Sequence, residues 1–299
     1  MFFKNLTKKN KICLIIAGVA LVLIVLMIVA LDLRLKTVQY EIESEKVENK
    51  VRVALVTDLH SCKYGKDQKK LVKALEKQNP DLVLLGGDIF DDELSPENTK
   101  KFISAIADKY PCYYVTGNHE FMCSDEIFLS YMNFLEEKGV TILKGSAETI
   151  EINGEKINIC GIDDPTLRNV EGYNYFAGDK RTVDGKGDYD WYGQLDLIDE
   201  IAQNGNYTLL LSHRPERFEK YAEYDFDLVL CGHAHGGQFR IPLLMNGLYA
   251  PNQGFFPEYA GGRYDSGDMT MIVSRGLAIE CTFLPRIFNR PELVIIDIE

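Results

Sequence analysis

The sequence predicts an α/β protein with two packed sheets, preceded by one membrane-spanning helix. Short apolar runs alternate with amphipathic ones between residues 51 and 138, which is typical of parallel strands joined by helical crossovers. The second half of the chain is richer in β pattern, and residues 12–31 form an uncharged apolar run. A chain of 299 residues, 46% of them hydrophobic, can form one large domain or two small ones.

The apolar run at residues 12–31 is about as long as a helix needs to be to cross a bilayer. Cleaved signal peptides are the alternative, but their apolar region is usually about 7–15 residues long, and residues 29–32 fit a cleavage site poorly. An uncleaved signal anchor is therefore favoured. The charge bias predicts a cytoplasmic segment at residues 1–11 and an extracytoplasmic remainder, because four lysines precede the run: Lys4, Lys8, Lys9 and Lys11.

Residues 32–49 are charged and are predicted to be a linker, so the folded domain is expected to cover residues 50–299. In the first half of this domain, buried apolar runs predict strands at residues 51–56, 81–85 and 112–116. Apolar residues at three-and-four spacing predict helices at residues 68–78, 98–108 and 124–138.

The second half of the domain is predicted to form a second sheet that packs on the first. Asn153-Gly154 predicts a hairpin between strands at residues 149–152 and 156–162, because both turn positions need positive φ. Glycines, aspartates and aromatics at residues 171–193 predict a loop, either ordered near the site or a floppy insertion. Further strands are expected at residues 207–211, 227–231, 269–274 and 293–298.

Charge and cysteine usage limit the classes of function. A net charge of -12 argues against a nucleic-acid-binding surface, which relies on clustered lysine and arginine. A phosphate substrate is still compatible, because two divalent ions create a local surplus of positive charge. The seven cysteines show no paired CxxC spacing, and Cys62 and Cys231, which lie close to the motifs described next, are interpreted as buried spectators.

All five histidines lie in short motifs that close apolar runs. Side chains that follow parallel strands converge at the carboxyl edge of a sheet, even when they are distant in sequence. The histidine motifs and one Gly-Asp pair therefore predict a dinuclear metal site. The motifs are Asp58-Leu59-His60, Gly87-Asp88, Gly117-Asn118-His119-Glu120, Ser212-His213 and Gly232-His233-Ala234-His235.

Spacing suggests how these residues share two ions. Asp58, His60 and His235 are expected at the first ion, and Asp88 can bridge both ions with its two oxygens. Asn118, His213 and His233 are expected at the second ion. Mixed nitrogen and oxygen ligands favour Mn, Fe or Zn over Mg or Ca. Such ions polarise a phosphoryl oxygen and lower the pKa of a bridging water, which gives a hydroxide for in-line attack.

Six residues outside the predicted ligand set have predicted roles. His119 follows a predicted ligand and is interpreted as the general acid, or as an electrophilic contact on a phosphoryl oxygen. Glu120 is predicted to hold His119 by a hydrogen bond, or else to cap the following helix. Arg214 either contacts a phosphate oxygen or is solvated. Phe255, Phe256 and Tyr259 either form an apolar wall for a lipid or nucleoside group or pack under a long loop.

The ordered series of motifs resembles that of the calcineurin-like metallophosphoesterase family. Three segments resemble the bacterial membrane-associated phosphodiesterase branch of that family: Ala250-Pro251-Asn252-Gln253-Gly254, Tyr259-Ala260-Gly261-Gly262 and Val273-Ser274-Arg275-Gly276. The similarity covers about residues 50–299. It implies a four-layer α/β/β/α sandwich with two metals at the sheet edge.

The function expected from the sequence is a membrane-anchored hydrolase of phosphate esters, most of all phosphodiesters or pyrophosphates. Its substrate is expected to be a lipid head group, a cell-wall polymer or an extracellular nucleotide. Two other classes of function stay open. One is a metal-holding scaffold without turnover, although such a scaffold has no use for His119. The other is metal-dependent hydrolysis of a bond that is not a phosphate ester.

Overall fold

The computed structural model describes residues 7–167, 170–173, 191–279 and 284–299. Within those residues, one helix is long and apolar enough to span a membrane, α1 (Lys8–Ala30). Its 23 residues span about 35 Å at the α-helical rise, slightly more than the hydrocarbon core of a bilayer. The side chain of Thr7 caps it by accepting a hydrogen bond from the backbone nitrogen of Asn10.

The first sheet has six strands, in the spatial order β1-β14-β2-β3-β4-β5. Four neighbouring strands of this sheet run parallel: β2, β3, β4 and β5. Strand β14 is antiparallel to β2 and parallel to β1. The bounds are β1 (Lys36–Ile42), β2 (Val51–Val56), β3 (Leu82–Gly86), β4 (Cys112–Val115), β5 (Thr141–Ile142) and β14 (Glu292–Ile298).

Helices connect the parallel strands of this first sheet. They begin and end close to the predicted positions, and each buries one apolar face. A short fourth helix starts at the end of β4 and carries the Asn118-His119-Glu120 motif. The bounds are α2 (Lys69–Glu76), α3 (Glu97–Ile106), α4 (Asn118–Met122) and α5 (Asp125–Glu137).

The second sheet also has six strands, in the order β12-β13-β9-β8-β7-β6. The hairpin between its first two strands in the chain turns at Asn153 (φ 55°) and Gly154 (φ 88°), as predicted. The bounds are β6 (Ser146–Ile152), β7 (Glu155–Gly161), α6 (Trp191–Ala202), β8 (Tyr207–Leu211), α7 (Phe218–Tyr221), β9 (Leu228–Cys231), β12 (Gly262–Ser266) and β13 (Met269–Val273). A separate two-strand ribbon pairs β10 (Tyr249–Ala250) with β11 (Gly254–Phe255).

Three apolar cores define four layers. In β2, Val53 and Leu55 face the second sheet, while Ala54 and Val56 face α2 and α3. A third core packs α6 and α7 against the outer face of the second sheet, with Leu195 and Tyr221 fully buried. Strands buried on both faces read as nearly continuous apolar runs, which is what the sequence showed. The predicted α/β/β/α sandwich with one N-terminal apolar helix is confirmed.

Three details differ from the sequence prediction. Residues 36–42 are not part of a linker but form β1, in which the half-buried Val38 and Tyr40 alternate with exposed residues. The final strand, β14, belongs to the first sheet rather than to the second. The predicted loop at residues 171–193 ends earlier than expected, because α6 begins at Trp191; residues 174–190 lie outside the described residues.

Five of the six cysteines within the described residues are buried, and the exposed one, Cys13, lies in α1. Cys281 lies outside the described residues. Cys62 and Cys231 are both buried, as predicted.

Candidate metal centre

The predicted ligands lie together at one edge of the sandwich. In the first sheet, Asp58, Asp88 and Asn118 follow the carboxyl ends of β2, β3 and β4. In the second sheet, His213 follows β8, and the His233–His235 pair follows β9. Because these strands are parallel within each sheet, their carboxyl ends bring residues more than 170 positions apart into contact.

The backbone in these loops is unusual. Five of the predicted ligands adopt positive φ, between 45° and 66°: Asp58, His60, Asp88, His233 and His235. Positive φ is uncommon outside glycine and costs free energy, so it persists where the surrounding structure enforces it, often at functional sites. Two hydrogen bonds tie the first two loops together: Asp58 N donates to Gly87 O (3.0 Å), and His60 N donates to Asp88 O (2.9 Å).

Glycine in two of these motifs is explained by close packing. A Cβ atom at Gly232 would lie 2.6 Å from Asp58 Oδ2, and one at Gly117 would collide with the Asp88 carboxylate. Larger residues at these two positions would push the carboxylates away from the cluster.

The predicted ligands form two groups that share Asp88. The first group is Asp58, His60, Asp88 and His235, and the second is Asp88, His213 and His233. In each group, the candidate ligand atoms all lie within 4.8 Å of one another, and every residue is buried. Asp88 Oδ2 is 3.0 Å from His213 Nε2 and 3.6 Å from His60 Nε2. Asp88 therefore has the position needed to bridge two ions.

Hydrogen bonds outside the cluster orient two of the histidines. His60 Nδ1 donates to Asp91 Oδ2 (2.9 Å), and His213 Nδ1 donates to the Gly86 carbonyl (2.8 Å). Both contacts leave Nε2 directed into the cluster. Metal-ligating histidines almost always donate their other ring nitrogen in this way, because it fixes the tautomer and raises the basicity of the ligand.

Buried polar atoms that lack a hydrogen-bond partner indicate whether these residues fit metal ions. Among the described residues, several buried polar atoms of the cluster have no hydrogen-bond partner, including Asp58 Oδ2, Asn118 Oδ1 and His235 Nδ1. A buried polar atom without a partner costs about 1–3 kcal/mol, so several in one cluster are expected only where a ligand satisfies them. The nitrogen and oxygen donors present fit two divalent ions of the Mn, Fe or Zn type.

The carboxylates of the cluster control the charge of its histidines. Burial opposes protonation of His60, but its hydrogen bond to Asp91 and the charges of Asp88 and Asp58 outweigh burial and raise its pKa to about 9. For His213, burial again opposes protonation, but the charge and the hydrogen bond of Asp88 outweigh burial and raise the pKa to about 10. In the metal-free protein these protons neutralise the aspartates, so metal binding must displace them.

The histidines on the β9 loop behave in the opposite way. Burial, with the nearby Arg214 guanidinium, lowers the pKa of His233 to about 3. Burial and the His60 charge lower the pKa of His235 well below its ordinary value. Both rings are therefore neutral at physiological pH, the form in which imidazole binds a metal.

His119 lies beside the cluster and is partly open to solvent. Its side chain is 26% exposed, whereas those of the predicted ligands His60 and His213 are at most 1% exposed. Its backbone nitrogen donates to Asp88 Oδ1 (2.8 Å), and its ring meets the His60 ring edge-on, with the centroids 4.4 Å apart. Nδ1 contacts Asp92 Oδ1 at 2.5 Å. The His119 ring can therefore contact a molecule bound beside the cluster, although it belongs to neither of the two ligand groups that share Asp88.

Glu120 does not hold His119, which corrects the preferred prediction for this residue. Its buried carboxylate accepts hydrogen bonds from the backbone nitrogens of Asp88, Ile89, Phe90 and Gly117. The last of these contacts joins Glu120 to Gly117, the N-cap residue of α4, the helix that contains Glu120. The following helix, α5, is capped by Ser124, so the alternative prediction that Glu120 caps the following helix is wrong as well. Glu120 fixes the loop that carries Asp88, and Asp92 has the contact with His119 instead.

Arg214 is buried rather than solvated. Its guanidinium pairs with Asp164, with Nη2 2.8 Å from Oδ1, and Nη1 lies 2.8 Å from His233 Nε2. Burial disfavours the charged carboxylate, but this pairing holds the pKa of Asp164 below its usual range. Asn252 completes the group, since its Oδ1 accepts a hydrogen bond from Arg214 Nη1 and lies 2.8 Å from His233 Nε2. The guanidinium is thus already occupied by protein groups.

Sequence reasoning missed Asp91, Asp92, Asp164 and Asn252. A signal existed for Asp164, because it follows β7 just as Asp58 follows β2. For Asp91 and Asp92 the signal was only their proximity to Gly87-Asp88. Asn252 lies in a segment that was singled out for its resemblance to the family, without a role.

Comparisons with known proteins agree with this fold. Residues 51–237 match the family described as calcineurin-like phosphoesterase. A Helicobacter pylori (strain J99) protein called an uncharacterized metallophosphoesterase is 30% identical over 219 residues, which cover 69% of this chain and 52% of that protein. This chain therefore spans about half the length of that relative.

Two further proteins extend the comparison. Phosphodiesterase YaeI of Escherichia coli K12 is 27% identical over 225 residues, which cover 74% of this chain and 72% of that protein. The crystal structure of a 5'-nucleotidase precursor from Thermus thermophilus superimposes with a TM-score of 0.50 at 14% identity, covering 77% of this chain and 50% of that one. At that identity the likeness concerns the fold alone.

Proposed function

The chain belongs to the calcineurin-like phosphoesterase family, and we propose that it is a membrane-anchored, dinuclear-metal hydrolase of phosphodiesters or pyrophosphates. The observation that carries this proposal is the shared position of Asp88 in two groups of ligands, with His119 beside them and partly open to solvent. A purely structural metal site is normally closed, whereas a catalytic site keeps an open side for water and substrate.

Seven residues would hold the two ions. Asp58, His60 and His235 would bind the first ion, and Asn118, His213 and His233 the second, with Asp88 between them. When bound, the ions supply Lewis-acid polarisation of the phosphoryl group and a water of lowered pKa. The protein contributes the geometry, since Asp91, Glu120 and the Gly86 carbonyl hold His60, the Asp88 loop and His213 in place.

His119 would act on the leaving group. In the hydrolysis, a water oxygen forms a bond to phosphorus, the ester P–O bond breaks, and the departing alkoxide takes a proton. The contact of Nδ1 with Asp92 leaves Nε2 as the ring atom that can deliver that proton. A proton donor helps most when the leaving group is a poor one, such as an alkoxide, which favours phosphate esters as substrates.

The membrane arrangement is part of the same proposal. Helix α1 would remain as a signal anchor, with residues 1–11 in the cytoplasm and the sandwich on the other side. Protease added to intact cells stripped of any outer wall would then digest the sandwich. Digestion only after lysis would reverse the topology.

A substrate panel on the full chain tests the proposed activity. Purified in detergent and loaded with Mn, Fe or Zn in turn, the protein is assayed with bis-p-nitrophenyl phosphate, p-nitrophenyl phosphate and p-nitrophenyl acetate, alongside metal analysis. We expect two ions per chain and turnover of the phosphodiester that a chelator abolishes. Two ions without turnover of any substrate would favour the scaffold alternative. Preferential cleavage of the acetate would favour a non-phosphate bond.

A further inference from the structure

The strand that follows the membrane helix starts at the metal-centre edge of the first sheet. Lys36, the first residue of β1, pairs with Glu292 of β14. Two residues further along β14, Val294 pairs with Leu55 of β2, and because these strands are antiparallel, Glu292 lies level with Thr57. Lys36 is therefore two strand spacings, about 10 Å, from the residue that precedes Asp58.

The connection between α1 and β1 is short and is held by contacts to the sandwich. The last helical residue, Ala30, is six positions before Lys36, so the connection spans at most about 20 Å. Phe288 N donates to Ala30 O (2.7 Å), and Arg290 Nε donates to Arg34 O (2.8 Å). The end of the membrane helix and the metal-centre edge are thus neighbours.

The segment that contacts α1 also supports the metal centre. Asn289 Nδ2 donates to the backbone oxygen of the predicted ligand His235 (2.7 Å) and to that of Gln238 (3.1 Å). Next to it, Ile287 forms a bridge with Phe239, which leads the chain into the following loop. One short segment therefore connects the helix end, a metal ligand and that loop.

The loops that leave this region expose large apolar side chains. We define the apolar rim as Ile241, Leu243, Leu244, Phe255 and Phe256. Leu243 and Leu244 are 106% and 84% exposed, and Phe255 and Phe256 are 69% and 70% exposed. Apart from α1 and the rim, the described residues hold six other exposed large apolar side chains, and none of these is more than 59% exposed. Clustered exposed apolar groups mark interaction surfaces.

The apolar rim is close to both the helix end and the metal centre. Leu243 is four residues from Phe239 and so lies within about 14 Å of it. Phe256 N donates a hydrogen bond to Leu248 O (2.8 Å), and Leu248 N donates one to Gly237 O (2.9 Å). Gly237 is two residues after the predicted ligand His235. In the sequence, Asn252 lies between Leu248 and the two phenylalanines, and its side chain contacts His233.

Positive charge accompanies the apolar groups on this side of the molecule. A cavity of 640 Å³ next to the helix end is lined by Leu33 and Leu35 together with Lys63, Lys70 and Lys73. Among the described residues, no carboxylate forms an ion pair with any of these three lysines. In a protein of net charge -12, an unpaired basic cavity beside a membrane helix is complementary to anionic lipid phosphates.

We propose that the apolar rim inserts into the leaflet next to the end of α1, and that the substrate is a phosphate ester carried by a lipid of that membrane. The occupant of the rim is thus the bilayer rather than a second protein. The substrate half of this inference rests on the proposed function, whereas the insertion half does not. A site at this position meets lipid head groups directly and needs no soluble substrate to diffuse to it.

Insertion is tested with the full chain in lipid vesicles, using Leu244→Trp as a probe. Ile127→Trp is the matched control, because Ile127 is an exposed residue of α5, which packs at the β5 edge of the sheet, opposite β1. Trp191 contributes equally to both variants. Lipids brominated in the acyl chains should quench the added emission of Leu244→Trp strongly and that of Ile127→Trp hardly at all. Equal quenching of the two variants would overturn the insertion.

A second quencher separates lipid from protein as the occupant. If acrylamide in solution and brominated lipid both fail to reach the added tryptophan of Leu244→Trp, a protein surface covers the rim, and the proposal is wrong. Strong quenching by lipid together with protection from acrylamide supports it.

The substrate half is tested by the ratio of two activities in the same vesicles, turnover of a phospholipid and turnover of bis-p-nitrophenyl phosphate. For Leu244→Ser combined with Phe255→Ser, this ratio should fall at least about tenfold relative to the parent, since two apolar contacts with lipid are lost. Ile127→Ser should leave the ratio unchanged. Turnover of the soluble diester alone would refute a lipid substrate. An unchanged ratio in the rim variant would refute the part of the rim in bringing the lipid to the site. No turnover of either substrate would refute the proposed function, while the quenching result would still decide the insertion.

Discussion

The two sides of the metal centre are supported by groups of opposite charge. On the first-sheet side, the carboxylate of Asp91 accepts a hydrogen bond from His60 and, with other aspartates, raises the pKa of His60 to about 9. On the second-sheet side, the guanidinium of Arg214 lies against His233, and burial together with that charge lowers the pKa of His233 to about 3. The first arrangement makes the ligand more basic, and the second makes it less so.

This difference suggests that the two ions are not equivalent. A more basic ligand with a carboxylate behind it binds a divalent ion more tightly, because the partner charge stabilises the bound state. A ligand next to a buried arginine binds more weakly. The ion at Asp58 and His60 has an ionised carboxylate, that of Asp91, behind one of its ligands. The ion at His213 and His233 has the Gly86 carbonyl behind one ligand and the Arg214 guanidinium beside the other. We therefore expect the first ion to be held more tightly than the second. Variants that act on both sides, or on one side only, test this expectation.

Asp88→Asn acts on both sides and should have the largest effect. Because the amide carries no charge and one of its two atoms is a donor, both ions should be lost or mostly lost, and phosphodiester turnover should fall to background. Elemental analysis of the purified variant measures this. Two ions retained per chain would remove Asp88 from the bridging position and make the two sides independent.

His119→Ala acts on the reaction without removing a predicted ligand. Turnover should fall by about two to four decades, the range typical of a lost general acid, while metal content and fold are unchanged. The loss should be smaller for p-nitrophenyl than for alkyl leaving groups, since the former need less protonation. An equal loss for both would indicate that His119 stabilises the phosphoryl oxygen electrostatically.

Arg214→Met acts on the second-sheet side only. It leaves the Asp164 carboxylate buried without its partner, so the free energy of unfolding should fall by about 3–5 kcal/mol. Replacing Asp164 as well, with leucine, should restore much of that loss. The exposed pair of Arg263 and Asp265 provides the control, and Arg263→Met should change stability little. Urea unfolding followed by Trp191 fluorescence measures the stability of all three variants. An unchanged free energy of unfolding in Arg214→Met would show that the pair of Arg214 and Asp164 is not needed for stability.

Asp91→Asn acts on the first-sheet side only and should have the smallest effect. At pH 9 and above, where protons no longer compete for His60, the affinity for the ion at Asp58 and His60 should fall by about 10–100-fold. In the parent protein, the affinity for this ion should rise about tenfold per pH unit up to about pH 9, because a proton on His60 must leave before the metal binds. With Asp91→Asn the pKa of His60 is lower, so this rise should end at a lower pH. Calorimetric titrations with Zn measure both quantities, and identical pH profiles would contradict the role given to Asp91.

The positions of the candidate ligands could be predicted from the sequence because each follows a strand and belongs to a recognisable motif. Parallel strands and their carboxyl ends can be located from local patterns alone, which placed Asp58, Asp88 and His233 correctly at one edge. The partners behind the ligands depend on tertiary packing. Nothing local pairs Arg214 with Asp164, 50 residues earlier, and nothing local directs Glu120 to the Asp88 loop rather than to His119.

The order of the strands in the first sheet could not be predicted from the sequence either. The polar alternation of residues 36–42 resembles a linker until β14 is placed next to it, although the period of two shown by Val38, Tyr40 and Ile42 was a signal for a strand. The last strand could join either sheet by pattern alone. Its position between β1 and β2 follows from packing against Val53 and Leu55, which no local rule describes.

Strand β1 also has a consequence for any cleavage of the chain. Seven consecutive residue pairs join β1 to β14, so β1 is the edge strand that covers the backbone of β14. A cut near residue 33 would release a sandwich that keeps this edge. A cut near residue 48 would leave β14 as a bare edge whose side chains are buried and mostly apolar, the kind of surface on which sheets of separate molecules add to one another and aggregate. Protection of β14 from such self-association therefore depends on a stretch of chain that looks, in sequence, like a spacer.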